Sequence, residues 1–519
     1  MSKRLTLATA AALLAAVGLL PVLAMLVKTF FVNGALSVEA YRSLLLAGPA
    51  QWSLMGHSLL LAMLTTFLAV VVGTSLGVVL AKTDLPLRRG FAVLFTIPLL
   101  IPPYVLAVAW SAAPGDSGQV VHELLFGPVG CTGVLFTAFM PIVMLLTIAY
   151  AGALDPRWED AARLVSRWPG VLRRITLPMI APTVLFAAVV VFLLTLGEVG
   201  VPTYLRYPVY AVETLTQFAA FHDFGAATVA AMPMLVVTLA VLALEYRWLH
   251  QRVLALEAVT PGARRAQIQL GGWRTPLLVL ITIWAFITVA FPLAMLVMQS
   301  SSISSYADAF ARASDSIARS LALAAVGATL LTVLGFLCGY LVYNRSLPIW
   351  RGVDALALFL FTLPGTVIGV GLISLWNTPL TNSIYGTSAI IILGYLAQYA
   401  VLPLRMTSAI LGRIPGALEQ AARLGGASWL LTLRHIVVPL AQRGLIAAWL
   451  ISYVFCLRDL GSSAITYPPG SDTLSIRILT LMANGAPSLI ASLCVILVLI
   501  TLLPLGAATL WLRRCTVQP

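Results

Sequence analysis

Few residues of this chain have types and spacings that could do covalent chemistry. The five Cys lack CxxC or any paired spacing and the five His show no ligand spacing, so neither a disulfide framework nor a zinc site is predicted. No GxxxxGKS/T, HExxH or GxSxG motif occurs, which argues against a nucleotide site or a hydrolase in this chain. The ionisable residues that stand out in apolar surroundings are Glu198, Arg458 and Asp459. Their chemistry would be electrostatic rather than covalent.

The elements that must position these residues are membrane-spanning helices. Of the 519 residues, 60% are hydrophobic and 9% are charged, whereas soluble chains carry about 25% charged residues. A bilayer needs about 20 apolar residues per helix, and the apolar runs here are long and continuous, unlike barrel strands. We predict an all-α polytopic membrane protein of about twelve transmembrane helices, near 6–28, 57–81, 91–112, 130–153, 179–200, 226–248, 276–298, 318–343, 353–376, 385–404, 441–464 and 487–512.

Sidedness follows from the placement of Lys and Arg, which are enriched in cytoplasmic loops. With the N-terminus inside, 24 of the 31 basic residues fall in inside segments and 7 fall in outside segments. This distribution predicts that both termini are cytoplasmic. It also explains the net charge of +13, so the predicted partner is the lipid bilayer and no nucleic acid is expected.

The sequence repeats itself at an offset of 260–262 residues. Matching segments begin at Ser58 and Ser320, Leu85 and Leu347, Ala161 and Ala421, and Leu196 and Leu457. We predict a first half over 1–250, a cytoplasmic linker over 251–275 and a second half over 276–519, with six transmembrane helices in each half. An even number of helices gives both halves the same orientation, so the pseudo-two-fold axis should follow the membrane normal.

Two long loops on the predicted cytoplasmic side, 154–178 and 405–440, occupy equivalent positions in the two halves. Each is predicted to contain a short amphipathic helix, because Asp155 and Pro156 suit an N-cap and a first turn and Pro415 opens the second copy similarly. Acidic residues come early and Arg later, which complements the helix dipole. Such a pair of helices suits docking on a symmetric partner, and the alternative is two ordinary solvated loops.

These loops carry a resemblance to a known family. The pattern Glu-Ala-Ala-x-x-x-Gly, with Leu-Pro further along, is the signature of the inner-membrane permeases of binding-protein-dependent ABC importers. This chain resembles it twice, although Asp160 and Gln420 stand where the motif has Glu, and Ser166 replaces the motif Gly in the first copy. The ATPase-coupling residues that the resemblance implies are Glu159, Asp160, Ala161, Ala162, Ser166, Pro178, Glu419, Gln420, Ala421, Ala422, Gly426 and Pro439.

Fusion of two permease halves in one chain resembles the ferric iron(III) importers, and next the thiamine importer. The segments at Leu196 and Leu457 look more like the iron(III) branch. The resemblance implies a type I importer fold in the bacterial inner membrane, with the two loop helices seated on a homodimeric cytoplasmic ATPase. That partner would bind ATP and Mg, and a periplasmic binding protein would deliver the substrate. The chain itself would be a transport subunit without a cofactor, not an enzyme.

Charges near the outer ends of two spans suggest a further hypothesis. A charge at the membrane centre costs at least about 2.5 kcal/mol, so such residues are candidates for function. If the span that begins near 441 continues to about Ala464, Arg458 and Asp459 lie within its outer part. Glu198 and Asp459 would then face each other as an acidic element of the outer gate. The alternative is a pair of helix-end residues, with Arg458 neutralising Asp459.

Proline residues supply a second set of candidates for the path. The predicted spans 91–112 and 353–376 contain Pro98, Pro102 and Pro103 in the first half and Pro364-Gly365 at a matching place in the second. Proline kinks a helix and frees backbone carbonyls, which is tolerated only against protein or a wet cavity. The alternative is that proline is simply more frequent in membrane helices.

Other functions stay open from the sequence alone. A twelve-helix secondary transporter would also have two parallel halves, and the segment from Asp84 to Gly90 superficially resembles the charged loop of the major facilitator family. The coupling loops and the scarcity of ionisable residues deep in the spans favour the importer. Within the importers, the alternative substrates are thiamine, phosphonate, polyamine and sulfate.

Overall fold

The computed structural model describes residues 3–32, 35–36, 42, 48–112, 123–219, 224–248, 268–300 and 302–514. Most of these residues are helical, which confirms the predicted all-α fold. Within the same ranges, extended pairing is confined to Phe31–Val32 with Ala35–Leu36 and to one bridge between Thr83 and Ile268.

Long helices follow one another along both parts of the chain. In the first part the helices are Lys3–Leu14, Leu20–Phe30, Pro49–Lys82, Arg88–Leu100, Pro103–Ser111, Pro128–Ala151, Pro156–Arg163, Trp168–Val171, Leu177–Leu196, Gly200–Tyr204, Tyr210–Ala219 and Phe224–Trp248. In the second part they are Arg274–Ala285, Phe291–Gln299, Ile303–Asn344, Trp350–Thr362, Gly365–Trp376, Asn382–Tyr385, Ala389–Tyr399, Val401–Leu411, Gly416–Leu424, Trp429–Thr432, Val438–Arg458, Ser463–Thr466, Leu474–Asn484 and Pro487–Arg514. Short connecting turns are π-helical at Ala15–Leu19, Leu172–Thr176, Phe286–Ala290 and Leu433–Val437, and 3₁₀-helical at Gly271–Trp273.

The number of membrane spans agrees with the prediction. Nine segments of the described residues are long and apolar enough to cross a bilayer, and up to twelve if each of three bent helix pairs is one span. The chain is therefore a multi-pass membrane protein. The bent pairs are Arg88–Leu100 with Pro103–Ser111 at 96°, Trp350–Thr362 with Gly365–Trp376 at 108°, and Ala389–Tyr399 with Val401–Leu411 at 48°.

Two of the predicted spans, 91–112 and 353–376, are thus sharply broken. The breaks fall at Pro102 and Pro364, which take extended backbone angles between their two helices. Proline cannot donate to the helical ladder and its ring clashes with the preceding turn, so the chain changes direction there. Pro98, in contrast, lies inside the continuous helix Arg88–Leu100.

The span predicted over 441–464 is placed wrongly at both ends. Its helix ends at Arg458, Asp459 follows with extended backbone angles, and the helix does not continue to Ala464. The helix is instead longer than predicted at its predicted cytoplasmic end, where it begins at Val438 and includes Arg443. The helix of the span predicted over 179–200 likewise ends early, at Leu196, so Glu198 lies in a loop.

Equivalent contacts recur in the two halves of the chain. The hydroxyl of Ser58 accepts a hydrogen bond from the amide of Tyr210 at 2.8 Å, and Ser320 accepts one from Leu474 at 2.7 Å. π-Helical turns recur at Leu172–Thr176 and Leu433–Val437. The predicted domain limits stay a prediction, because most of the linker lies outside the described residues.

The first membrane span of each half, Lys3–Lys28 and Gly271–Gln299, packs on the other half. Leu20–Phe30 packs along Gly365–Trp376, where a Cβ on Gly371 would lie 3.0 Å from the carbonyl carbon of Pro21. In the second half, the ring of Trp284 lies 6.0 Å from that of Phe136. The ring of Phe291 lies 5.7 Å from that of Trp110. The two halves are therefore interlocked rather than merely adjacent.

Candidate translocation cavity and paired loop helices

A cavity of about 1170 Å³ lies between the halves. The first half lines it with Leu177–Leu196 and Pro128–Ala151, and the second half with Trp350–Thr362 and Val438–Arg458. Most of its lining is apolar. Charged residues lie toward its two ends: Glu198, Arg458 and Asp459 at the predicted outer end, and Glu245, Arg351, Asp354 and Arg405 toward the other.

Glu198 lines the cavity from a loop just beyond a helix end. Its Oε1 atom accepts a hydrogen bond from the amide of Gly200 at 3.1 Å, and its side chain is half-buried. The loop touches the other half, because a Cβ on Gly197 would lie 2.9 Å from the Cα atom of Pro364. Pro364, one of the predicted path residues, therefore marks a contact between halves as well as a helix break.

Asp459 also lines the cavity, but its carboxylate is held by its own half. Oδ1 accepts from the hydroxyl of Tyr399 at 2.7 Å, and Oδ2 accepts from the Ser462 hydroxyl and the Ser463 amide, each at 2.9 Å. The Ser463 hydroxyl donates to the same oxygen. Asp459 is 3% exposed, so its charge organises the turn after the helix. Glu198 and Asp459 share the cavity end, but Asp459 has few acceptor positions left for a partner.

Arg458 reaches across to the first half. Its guanidinium donates to the backbone carbonyl of Leu99 and lies 4.9 Å from the centre of the Phe455 ring. None of the ion pairs among the described residues joins Arg458 to Asp459. The main contact of Arg458 is therefore with the first half, and not an ion pair that neutralises Asp459.

An ion pair occupies the opposite end of the cavity. Arg405 Nη2 lies 2.9 Å from Asp354 Oδ2, with Arg351 and Glu245 in the same lining. These four residues were missed by the sequence analysis. The available signal was an acidic residue inside each of two predicted apolar spans, Asp354 in 353–376 and Glu245 in 226–248.

The first loop helix, Pro156–Arg163, is fixed by a buried carboxylate. Asp155 is its N-cap as predicted, accepting from the amide of Arg157 at 3.0 Å. Glu159 is 1% exposed. Its Oε2 atom lies 2.7 Å from Lys82 Nζ, and its Oε1 atom accepts from the hydroxyl of Thr176 at 2.8 Å. This motif residue therefore anchors the loop helix to the membrane helices, while Asp160 and Ala161 are exposed.

The second loop helix, Gly416–Leu424, is anchored by different groups. The hydroxyl of Tyr340 donates to Glu419 Oε2 at 2.9 Å, and Arg423 lies 3.5 Å from the same oxygen. Lys3, at the start of the first half, lies 4.9 Å from the centre of the Tyr340 ring. Gln420 and Ala421 are exposed, and Ala162 and Ala422 are half-buried at equivalent positions.

The motif ends differ in the two copies. Gly426 has a φ of 80°, a left-handed conformation that favours glycine, whereas Ser166 in the first copy has no positive φ. The backbone therefore does not require glycine in the first copy. Pro178 and Pro439 each stand second in their long helix, directly after a π-helical turn. Proline lacks the amide that would continue the ladder, which accounts for the local widening.

Exposed apolar residues stand on both loop helices at equivalent places. The exposed fractions are 61% for Trp158, 87% for Leu164, 41% for Leu418 and 91% for Leu424. We call these four residues the docking residues. Large apolar side chains so exposed at a predicted aqueous face are typical of interaction sites. The loop helices were predicted from the sequence, but the exposure of these four side chains was not.

The loop that begins at Asp84, which superficially resembles the charged loop of the major facilitator family, has a structural role in this chain. The Asp84 carboxylate accepts from the amide of Leu270 at 3.0 Å, and the amide of Ile268 donates to the carbonyl of Lys82 at 2.7 Å. This loop therefore ties down the end of the linker. Among the described residues, no group of three or more His, Cys, Asp or Glu could hold a metal ion.

The fold and these sites define a class of protein: a multi-pass helical membrane protein with a cavity between two repeated halves and paired loop helices on one side. No family model matches the chain. It is 25% identical over 445 residues to a candidate ferric transport system permease protein, FbpB 1 of Haemophilus influenzae, covering 79% of this chain and 69% of the relative.

Two further relatives agree on the class. A candidate ABC transporter permease protein of Sinorhizobium fredii, y4fN, is 27% identical over 517 residues, covering 90% of this chain and 89% of the relative. A candidate 2-aminoethylphosphonate transport system permease protein, PhnV of Salmonella paratyphi A, is 31% identical over 142 residues, covering 27% of this chain and 53% of the relative. The predicted resemblance to ABC transporter permeases, and to ferric permeases in particular, is confirmed. These relatives are transport components, not enzymes.

Proposed function

We propose that this chain is the permease subunit of an ATP-driven importer that moves iron(III) into the cytoplasm. The observation that carries this proposal is the cavity between two repeated halves, each of which also presents a loop helix with exposed apolar residues. The similarity to a ferric transport permease over 79% of the chain supports iron(III) as the substrate.

The loop helices serve as coupling helices in this proposal. Each would seat its docking residues in a cleft of one subunit of a homodimeric ATPase. The motif acids Glu159 and Glu419 would transmit the resulting movement, because both bind helices that lead into the membrane. The exposed Asp160, Ala161, Gln420 and Ala421 would face the ATPase.

Substrate would enter from the opposite side, where a periplasmic binding protein would dock. This assigns the end of the cavity with Glu198 to the outside and the end with the Asp354–Arg405 pair to the cytoplasm. ATP binding would close the ATPase dimer, move the coupling helices and open the outer end. The path would change shape at the two helix breaks, at Pro364 in the second half and at Pro102, four residues after Pro98, in the first half.

The test is reconstitution of the chain in liposomes with an ATPase and a periplasmic binding protein, sought first among the genes that neighbour its own. We expect uptake of radioactive iron(III), presented on the binding protein, only when ATP is enclosed with the ATPase. An ATPase that binds but cannot hydrolyse ATP is the matched control. Uptake driven by a proton gradient alone would overturn the importer proposal in favour of a secondary transporter.

A second substrate has a specific observation in its favour. The similarity to the 2-aminoethylphosphonate permease is 31% over 142 residues, and three Arg residues line a cavity that also holds four acidic residues. A zwitterionic phosphonate could pair with both signs of charge. ATP-dependent uptake of labelled 2-aminoethylphosphonate but not of iron(III) would keep the importer assignment and replace its substrate.

A further inference from the structure

We propose that Arg458 is a gating residue, which holds the predicted outer end of the cavity closed by binding the broken helix of the opposite half. The inference rests on the proposed function, because it assigns Arg458 a role in the transport cycle. It concerns one residue of the second half and one backbone group of the first half.

The first observation is the acceptor that Arg458 has found. Its guanidinium donates to the carbonyl of Leu99, the second-last residue of Arg88–Leu100. In a continuous helix this carbonyl would accept from the residue four positions on, which is Pro103 and has no amide hydrogen. Within a membrane protein an unpaired carbonyl costs several kcal/mol. The break in the first half therefore creates an acceptor that only a donor from elsewhere can satisfy.

The second observation is that the contact joins the two halves at a cavity end. Leu99 and Arg458 both line the cavity, and neighbouring Gly461 packs against Gly365 at the other helix break. Arg458 also lies over the ring of Phe455, a lining residue. A rigid guanidinium is suited to this position, since it stays charged and stacks on aromatic rings. Separation of the halves at this end requires the Arg458–Leu99 bond to break.

The third observation is that the contact has no counterpart on the other side. The residue equivalent to Arg458 in the first half is Gly197, which meets Pro364 through its backbone and has no side chain to donate. The two halves thus close the same end in different ways. One side uses van der Waals contact of a glycine, and the other uses a charge-assisted hydrogen bond.

The charges around Arg458 indicate how the bond would be released. Glu198 lies in the same cavity end with a half-buried side chain that accepts, among the described residues, only from backbone amides of its own loop, at Gly200 and Val201. Asp459 is buried and has four donors of its own half. Glu198 is therefore the acid that Arg458 can turn to when it leaves Leu99. Arg458 would exchange the Leu99 carbonyl of the broken helix for the carboxylate of Glu198 in the loop after Leu177–Leu196, so that the broken helix is free to move while Arg458 stays paired.

The test is labelling from each side of the membrane. Leu194, which is half-buried and lines the cavity, is replaced with Cys in a full-length chain whose native Cys are Ala. A membrane-impermeant maleimide is added to right-side-out or to inverted vesicles. With Arg458 present we expect labelling mainly in inverted vesicles. Arg458→Ala should raise labelling in right-side-out vesicles about tenfold, the order expected for loss of a charge-assisted hydrogen bond.

The matched control is Arg319→Ala, because Arg319 donates to Asp472 within its own half at 2.8 Å. It should leave outside labelling unchanged, and Arg458→Lys should give an intermediate value. Unchanged outside labelling of Arg458→Ala, with normal labelling in inverted vesicles, would overturn the proposal. If Arg458→Ala loses labelling on both sides, Arg458→Met, which keeps the length of the side chain but has no donor for the Leu99 carbonyl, decides on the same criterion. Failure of iron(III) uptake with these labelling results intact would count against the substrate, not the gate.

Discussion

The Nζ atom of Lys82 lies 2.7 Å from Oε2 of Glu159, and the two side chains are 3% and 1% exposed. The ion pair joins the end of the long helix Pro49–Lys82 to the first loop helix. A displacement of the loop helix therefore acts directly on a membrane helix. In the second half, Tyr340 and Glu419 make the corresponding connection with a neutral donor.

Breaking this buried pair should be more harmful than removing it. Lys82→Met leaves the Glu159 carboxylate without its cation and should destabilise the fold by about 3–5 kcal/mol. The double variant Lys82→Met with Glu159→Met should recover much of that loss, because apolar residues of similar size replace both charges. Thermal unfolding of the detergent-solubilised chain measures both. Equal destabilisation of single and double variants would contradict the ion-pair account.

The docking residues should matter for partner binding and not for folding. Leu164→Ser or Leu424→Ser removes a side chain that is 87% or 91% exposed, so the melting temperature should not change. Loss of an interface anchor commonly costs 1–2 kcal/mol, so co-purification of the ATPase should weaken about 5- to 30-fold. Leu380→Ser is the control, since Leu380 is 94% exposed in the loop before Asn382–Tyr385. Normal ATPase binding by both variants would count against docking there.

The two acids of the predicted gate should respond differently to neutralisation. Asp459→Asn keeps the size of the side chain but presents an amide NH₂ to a site built of four donors, leaving at least one buried group unsatisfied. We expect a loss of about 1–3 kcal/mol in stability. Glu198→Gln should leave the melting temperature unchanged and reduce uptake. Equal thermal effects of the two substitutions would show that Asp459 has no special structural role.

Close helix packing predicts a further difference along one helix. A Cβ on Gly77 would lie 2.6 Å from the Cβ of Thr147, whereas a Cβ on Gly56 meets nothing within 4 Å. Gly77→Ala should therefore destabilise the chain by about 1–3 kcal/mol through overpacking. Gly56→Ala, in the same helix Pro49–Lys82, should be neutral or stabilising because alanine is the better helix former. Melting temperatures of the purified variants provide the comparison.

The sequence was sufficient for the helical fold, the approximate spans and the position of both loop helices. Continuous apolar runs and local capping signals determine those features, and they require no knowledge of distant contacts. The end of the helix at Arg458 could not be obtained this way, because counting apolar residues extended the span beyond Asp459 instead of back through Arg443. Hydropathy reports length and says nothing about which end of a helix projects from the bilayer.

The contacts of the candidate site were less predictable for a related reason. Lys82 and Glu159 are 77 residues apart, and Arg458 and Leu99 are 359 apart. No periodicity or spacing within a segment links such residues. The proline breaks were predicted only as kinks, since bends of 96° and 108° depend on how the neighbouring helices receive the second segment. The exposed Leu164 and Leu424 were missed because both look like ordinary helix residues in sequence.

The crossing of the first helices has a consequence for biosynthesis. Leu20–Phe30 packs along Gly365–Trp376, which is made more than 300 residues later. At about 5–20 residues per second, this part of the first span stands in the bilayer for roughly 15–70 s before its packing partner is synthesised. During that interval the face that later packs on Gly365–Trp376 is open to lipid or to other nascent chains. The packing of this early span can therefore be completed only during the last third of translation.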